Sequence, residues 1–339
     1  MYKNLLRPIL FLLQPEAIHH VVFFLFKLVR NIPFGVWLIK KYYSKYNNKP
    51  FELWGIEFKN RVGLAAGLDK NADAFDMFDA LGFGFVEIGT VTPVSQPGNP
   101  KPRIFRLKKD QALINRMGFN NKGAENAAQN LKRRKGNIII GGNIGKNKVT
   151  PNEQAVNDYL LGFATLYPVV DYFVINVSSP NTPNLRELQE REPLKVILTA
   201  IMEANKAKEK QKPVLLKIAP DLSFEQIDII IELVAETGLN GLVVNNTTIS
   251  RENLSYSKEF IEKIGAGGLS GKPLGKRSNE IIKYIADKTG GSIPIIGSGG
   301  IMSEADAKAK LEAGASLVQL YTGFIYEGPG LIREINKSI

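Results

Sequence analysis

Residues 175–182 read INVSSPNT: an apolar strand that ends in Asn176 and turns through Ser178, Ser179, Pro180 and Asn181. A serine on such a turn invites nucleophile or base chemistry, which requires a group to take its proton. The chain supplies few such groups. It has no cysteine, and its two histidines, His19 and His20, both lie near the N-terminus, so acid–base work elsewhere runs without imidazole or thiolate. The missing cysteines exclude disulfides, iron–sulfur clusters and thiolate zinc sites, and no metal site is expected. Redox chemistry would run through an organic cofactor.

Other polar residues recur with a spacing that points to one scaffold. Apolar segments at 62–67, 85–91, 137–145, 172–178, 213–219, 241–247, 293–300 and 316–323 read as strands, and amphipathic stretches such as NADAFDMFDALG, SFEQIDIIIELVAETG and SEADAKAKLEAG lie between them. Continuous apolar strands separated by helices mean a parallel sheet with both faces covered. Eight such units over about 280 residues fit a (β/α)8 TIM barrel better than an open doubly wound sheet. Lys70, Thr90, Asn143, Asn176, Lys217, Asn245, Asn246 and Thr247 then fall in, or just beyond, the C-terminal ends of the strands, where such barrels keep their chemistry. One asparagine is an ordinary turn residue; the recurrence lines a barrel mouth with amides, which suits a flat heterocycle edged with N–H and C=O groups.

Strand seven ends GSGG (297–300) and strand eight YTG (321–323), the position at which barrels build phosphate sites from backbone N–H groups, although glycines also serve tight turns. The spacing matches neither a dinucleotide fingerprint nor a P-loop. Flavin mononucleotide (FMN) is the cofactor that fits best, with Lys217 placed to stabilise a reduced, negatively charged ring or, alternatively, to snorkel outward.

The first fifty residues hold Lys3, Arg7, Lys27, Arg30, Lys40, Lys41, Lys45 and Lys49 against Glu16 alone, and ten of the 31 aromatic residues. Basic charge interleaved with large rings is a membrane-surface composition, and since most of the excess of +11 sits here, nucleic acid is not an expected partner. No apolar run approaches the roughly 18 residues of a span, and no signal core with a cleavage site is evident. Pro15 opens a helix with Ile18, Val21, Val22, Leu25, Leu28, Val29 and Ile32 on one stripe and Phe23, Phe24 and Phe26 off it. Such a helix needs apolar contact on two sides, from protein, from lipid, or from one of each. The polar stretch NNKP at 47–50 separates residues 1–48, a helical membrane-associating extension, from a barrel domain over 49–339.

AAGLDK (65–70), EIGTVTP (87–93), PGNPKPRIFRL (97–107), INRMGFNN (114–121), NIGKNK (143–148), INVSSPNTPNLR (175–186), KIAPDL (217–222), GGLSGKPL (267–274) and GASLVQLYTGF (314–324), taken in order, resemble the membrane-associated class 2 dihydroorotate dehydrogenases. The resemblance spans the whole chain, including the basic, aromatic N-terminal extension. It implies an FMN-bearing barrel that oxidises dihydroorotate to orotate in pyrimidine synthesis and passes electrons to a membrane quinone. Class 1 enzymes carry a cysteine base on the loop after strand four and class 2 enzymes a serine, which the resemblance makes Ser179. Thr182 or a water would relay its proton outward, under a lid stiffened by Pro180 and Pro183.

Substrate contacts implied in the same way are Lys70, Asn115, Arg116, Met117, Gly118, Phe119, Asn176, Asn181, Asn246 and Thr247. FMN contacts are Ala65, Ala66, Gly67, Leu68, Asp69, Thr90, Asn143, Asn176, Lys217, Asn245, Gly271, Gly300, Tyr321 and Thr322. Quinone contacts are His19, Arg106 and Tyr321. The implied location is peripheral, on the cytoplasmic face of the cell membrane, and a monomer is expected. The rival readings are a soluble FMN barrel that reduces fumarate and a non-catalytic phosphate-binding scaffold.

Overall fold

The computed structural model describes residues 2–44 and 49–339. Eight parallel strands close into a barrel: β1 (Val62–Leu64), β2 (Phe85–Val91), β3 (Ile139–Ile144), β4 (Tyr172–Asn176), β5 (Val214–Ile218), β6 (Gly241–Val244), β7 (Ile295–Ser298) and β8 (Leu317–Leu320). Each pairs with its neighbour in sequence, and β8 closes on β1 through Val318 beside Val62. All eight expected strands are present. Seven end short of the expected limit, because the residues there leave the ladder to form the loops of the mouth.

Between the strands, Ser223 caps the helix Phe224–Thr237 with a reciprocal capping box to Gln226, and Gly238 ends it in a left-handed turn. The helix expected over 71–82 forms only as Phe75–Ala80. Its first turn is diverted because the Asp69 carboxylate accepts the N–H groups of Asp73 (2.7 Å) and Ala74 (3.0 Å).

Strand periodicity arranges the interior in layers. Phe85, Tyr172, Val174, Leu215, Val243, Ile296 and Leu317 fill the lower barrel, and the hairpin Phe51–Leu53/Ile56–Phe58 plugs its base, with the Phe58 ring 5.3 Å from Phe85. Two residues further along the strands, the layer turns polar. Glu87 follows Phe85, Asn176 follows Val174, Lys217 follows Leu215, Asn245 follows Val243, Ser298 follows Ile296 and Gln319 follows Leu317. A three-stranded antiparallel sheet, Ile104–Leu107, Ala112–Asn115 and Gly268–Gly271, lies beside this mouth.

The N-terminal helix runs Pro15–Asn31. Its expected single stripe is divided between two environments. Phe23 and Phe26 pack toward Phe78, with ring centres 6.2 and 5.7 Å away, alongside Ile18 and Val22. Val21, Phe24, Leu25, Leu28 and Ile32 are exposed, as are Phe34, Trp37 and Leu38 around the following helix Gly35–Tyr43. Ion pairs seat the unit on the barrel, among them Arg103 with Glu16 (2.7 Å) and Arg30 with Asp76 (2.5 Å). No single helix among the described residues is long and apolar enough to cross a membrane. The boundary expected at 48 falls on residues 45–48, outside the described residues.

Candidate active site

A cleft of about 970 Å³, counted out to its solvent-open mouth, lies at the C-terminal ends of the strands. Twenty residues picked from the sequence line it: Ala65, Ala66, Gly67, Lys70, Thr90, Asn115, Met117, Gly118, Phe119, Asn176, Ser179, Asn181, Lys217, Asn245, Asn246, Thr247, Gly271, Gly300, Tyr321 and Thr322. Arg116, Leu68, Asp69 and Asn143 do not line it. The Arg116 guanidinium is spent on the carbonyls of Ile264 and Ala266 and stacks over Phe105. Leu68 faces a neighbouring apolar cavity. The Asp69 carboxylate caps the backbone of residues 73 and 74, and burial pushes its pKa up to about 7 against those two hydrogen bonds. Asn143 lies one layer below, fully buried.

The amides at the mouth largely satisfy one another. Thr90 Oγ1 donates to Asn143 Oδ1 (2.6 Å), Asn176 Nδ2 donates to Thr90 Oγ1 (2.7 Å), and Asn246 Nδ2 donates to Asn176 Oδ1 (3.3 Å) and Ser178 Oγ (3.0 Å). Beneath them the Glu87 carboxylate accepts from Asn143 (2.7 Å), Gln319 (2.6 Å) and the Lys217 ammonium (3.3 Å). Lys217 is therefore half of a buried ion pair, neither free nor snorkelling.

What remains unpaired points to a ligand. Both side-chain polar atoms of Asn245, together with Asn181 Oδ1, Gln319 Oε1 and Thr182 Oγ1, are buried without a hydrogen-bond partner. Buried polar groups are nearly always satisfied, so such a cluster around one cleft marks where a polar molecule belongs.

The two serines of the β4 loop have separate fates. Ser178 is fully buried, with its hydroxyl turned to Asn176 Oδ1 (3.2 Å). Ser179 lines the cleft, and its Oγ meets only the N–H of Asn181, at 3.3 Å. Arg186 clamps the loop by reaching the carbonyls of Ser178 (3.1 Å) and Thr247 (3.0 Å) and the carboxylate of Asp221 (2.8 Å). Across the mouth, Asn181 Nδ2 donates to Asn115 Oδ1 (3.1 Å). Lys70 is partly buried against Asn120 Oδ1 (2.6 Å), and desolvation, aided by Arg103, brings its pKa down to about 7. A carboxylate placed beside it would hold it charged.

The far end of the cleft is built from backbone. Gly300 adopts φ +79°, and a Cβ there would come within 2.1 Å of Gly275 Cα. Among the described residues, the N–H groups of Gly299 and Gly300 have no acceptor within the chain, and Ser270 Oγ and Thr322 Oγ1 meet alongside at 2.8 Å. Free donors around a glycine cradle suit a phosphate.

The sequence pattern of the family described as Dihydroorotate dehydrogenase matches residues 50–339. The chain belongs to that family. Relatives described as Dihydroorotate dehydrogenase (quinone) include a Christiangramia forsetii protein, 56% identical over 100% of this chain and 98% of its own. One from Gloeobacter violaceus is 48% identical over 99% and 93%. Among solved structures, Eimeria tenella DHODH in complex with ferulenol superposes with a TM-score of 0.83 at 39% identity, covering 96% of this chain and 90% of that one.

In this dihydroorotate dehydrogenase chain a second cavity, about 1080 Å³ counted out to its open end, lies between the N-terminal helices and the barrel, and it is almost wholly apolar. Tyr321 lines both cavities and separates them. His19 and Arg106 supply its polar edge. His19 Nε2 lies 2.8 Å from the Leu68 carbonyl, which can only accept, so this nitrogen carries the proton; the ring stacks on Phe23, and burial lowers its pKa. Arg106 donates to the Leu13 carbonyl (2.6 Å) and covers the Phe11 ring, while its Nε has no partner.

Glu87, Gln319, Arg186, Asn120 and Ser270 were not singled out from the sequence. Glu87 and Gln319 could have been, since each stands two residues after a barrel-filling side chain. Nothing local to Arg186 or Asn120 signals their partners.

Proposed function

We propose that this chain oxidises (S)-dihydroorotate to orotate in pyrimidine biosynthesis and delivers the electrons to a membrane quinone. The observation that carries this reading is the cleft itself, which the Ser179 hydroxyl, bonded only to the Asn181 N–H, lines together with the unpaired amide of Asn245 and the unpaired Asn181 Oδ1. A heterocycle such as dihydroorotate or a flavin, edged with N–H and C=O groups, complements those groups. The naming of the relatives as quinone enzymes and the apolar second cavity behind Tyr321 favour a quinone over fumarate as acceptor.

The cofactor is FMN. It supplies the hydride acceptor for C6 of the substrate and the electrons for the quinone. Gly271, Gly300 and Thr322 would hold its phosphate, and Ala65, Ala66, Gly67, Thr90, Asn245 and the buried Lys217 its ring. Lys70 pairs with the substrate carboxylate, and Asn115, Asn181, Asn246 and Thr247 grip the ring edges. Ser179 takes the C5 proton as the C5=C6 double bond forms. A serine hydroxyl is a weak base, so the proton must move on, and the buried, unpartnered Thr182 hydroxyl is the adjacent group free to receive it. The Arg186 clamp keeps the lid shut against bulk water during this transfer. Purified enzyme is expected to form orotate with a quinone and not with fumarate; equal rates with fumarate would contradict the acceptor assignment.

The quinone enters through the apolar cavity, where the unpartnered Arg106 Nε–H offers a hydrogen bond to one of its carbonyls, while the His19 ring, its Nε2–H held by the Leu68 carbonyl, forms part of the wall beside Phe23. His19→Ala, which removes a ring from the cavity wall, is expected to raise the quinone KM about tenfold, the worth of about 1.4 kcal/mol of lost apolar contact, while flavin reduction by dihydroorotate is unchanged. Equal losses in both half-reactions would contradict it.

The helices within residues 2–44 form the unit that seats the barrel domain peripherally on the cytoplasmic face of the membrane, as a monomer. The exposed Phe24, Leu25, Leu28, Phe34, Trp37 and Leu38 provide the apolar face and the surrounding lysines the attraction to anionic lipid. The variant W37E/L38E is expected to lose at least about tenfold in partition onto anionic vesicles and keep its flavin reduction rate. Unchanged partition would place the contact elsewhere.

A further inference from the structure

Lys310 is buried to 1% exposure in the helix Glu304–Glu312, behind β7, and has no carboxylate partner. Its ammonium donates to Ser278 Oγ (2.7 Å) and Asn279 Oδ1 (2.8 Å). Helix Gly275–Thr289 presents only these neutral groups to it, and β7 presents Gly297, where a Cβ would lie 2.7 Å from the lysine stem. The one charge that reaches it is Asp306 on its own helix, whose carboxylate is turned to the Met302 N–H (3.0 Å) and the Ser303 hydroxyl (2.8 Å). Burying an ammonium without a counter-ion costs several kcal/mol, and a Leu or Met would fill the space at less cost. Packing alone does not explain the residue.

The onward contact does. Ser278 Oγ passes the hydrogen bond to the Ser298 carbonyl (2.7 Å), which also accepts from the Asn245 N–H (3.2 Å). That carbonyl belongs to the same peptide group as the Gly299 N–H, one of the two donors without an acceptor at the glycine cradle. A peptide whose oxygen accepts from a charge-backed chain becomes a stronger donor at its nitrogen. Building on the FMN reading above, we propose that Lys310 is a positioning residue of the cofactor phosphate site, a buried cation that acts through Ser278 and the Ser298–Gly299 peptide and never touches the ligand.

The charge has a pH signature. Burial brings the lysine down to about 7, and a phosphate dianion in the cradle favours its charged form, so its hold on the phosphate weakens as pH rises and the ammonium is lost. The test is the rate of FMN release from purified holoenzyme, read as the rise in free-flavin fluorescence between about pH 6 and pH 9, for wild type, K310M and K310Q. K310Q keeps a donor for Ser278 without the charge and carries the test if K310M fails to fold.

Both variants are expected to release FMN about tenfold faster than wild type at the acid end. The wild type is expected to approach them at the alkaline end, with the dihydroorotate KM per bound flavin unchanged. Release at the wild-type rate, or acceleration by one constant factor at every pH, would overturn the assignment, the second result marking a packing role only. A wild-type preparation without flavin absorbance would overturn the FMN reading itself, and this assignment with it.

Discussion

Replacing Ser179 by Ala is expected to leave the flavin bound and slow its reduction by dihydroorotate by about 10²–10⁴-fold, the usual worth of a positioned general base. The substitution is structurally mild. Ser179 Oγ has only the Asn181 N–H as partner, at a long 3.3 Å, so its loss strands no strongly bonded group. Ser178→Ala is the internal control, since that hydroxyl belongs to the amide network with Asn176 and Asn246 and does not line the cleft. It is expected to loosen the loop and retain most of the rate. Thr182→Ala, which removes a buried, unpartnered hydroxyl three residues along the loop from the base, is expected to fall between the two. Rapid-mixing absorbance of the bound flavin measures all three, and a Ser179→Ala rate within a few-fold of wild type would remove the serine from the chemistry.

Replacing Glu87 by Gln is expected to be the most destabilising conservative change in the barrel. The carboxylate is fully buried and serves three partners, Asn143, Lys217 and Gln319. Without its charge, the 6%-exposed Lys217 ammonium is left uncompensated in the interior. Breaking one side of such a pair costs roughly 3–5 kcal/mol, which lowers Tm by on the order of 10 °C in a domain of this size. The double variant E87Q/K217M, which removes both charges, is expected to recover much of that loss, because a matched apolar replacement of a buried ion pair is close to neutral. Thermal denaturation of the two proteins side by side measures the difference. Equal Tm values for E87Q and wild type would contradict the stabilising role given to the pair.

The barrel was legible because its strands are buried on both faces and therefore read as short apolar runs of regular spacing, which no open antiparallel sheet would imitate. The glycine loop after β7 was legible for a related reason: Gly300 stands where any Cβ would strike Gly275, and its residue type records that. Strand periodicity held more information than was taken from it. Glu87 and Gln319 follow Phe85 and Leu317 at the two-residue step that puts them over the barrel axis, yet within an apolar run each looks incidental.

Other features depend on pairings that sequence spacing does not encode. Gly268–Gly271 reads as a loop, and becomes a strand only because Ala112–Asn115 is there to receive it. Arg186 stands inside a recognisable motif, but its role comes from Asp221 and the Thr247 carbonyl, on other loops of the mouth. Asp69 shows the reverse. The motif made it a ligand contact, and its carboxylate instead caps the turn that delays the first barrel helix.

The central claim, a flavin and a serine base acting together on dihydroorotate in one cleft, is tested most directly by anaerobic mixing of the purified protein with dihydroorotate while the flavin absorbance is followed, with a quinone added afterwards. Rapid bleaching in step with orotate formation, followed by full return of the absorbance on quinone addition, is the expected result. A protein that carries no flavin, or whose flavin keeps its colour in the presence of dihydroorotate, would contradict it.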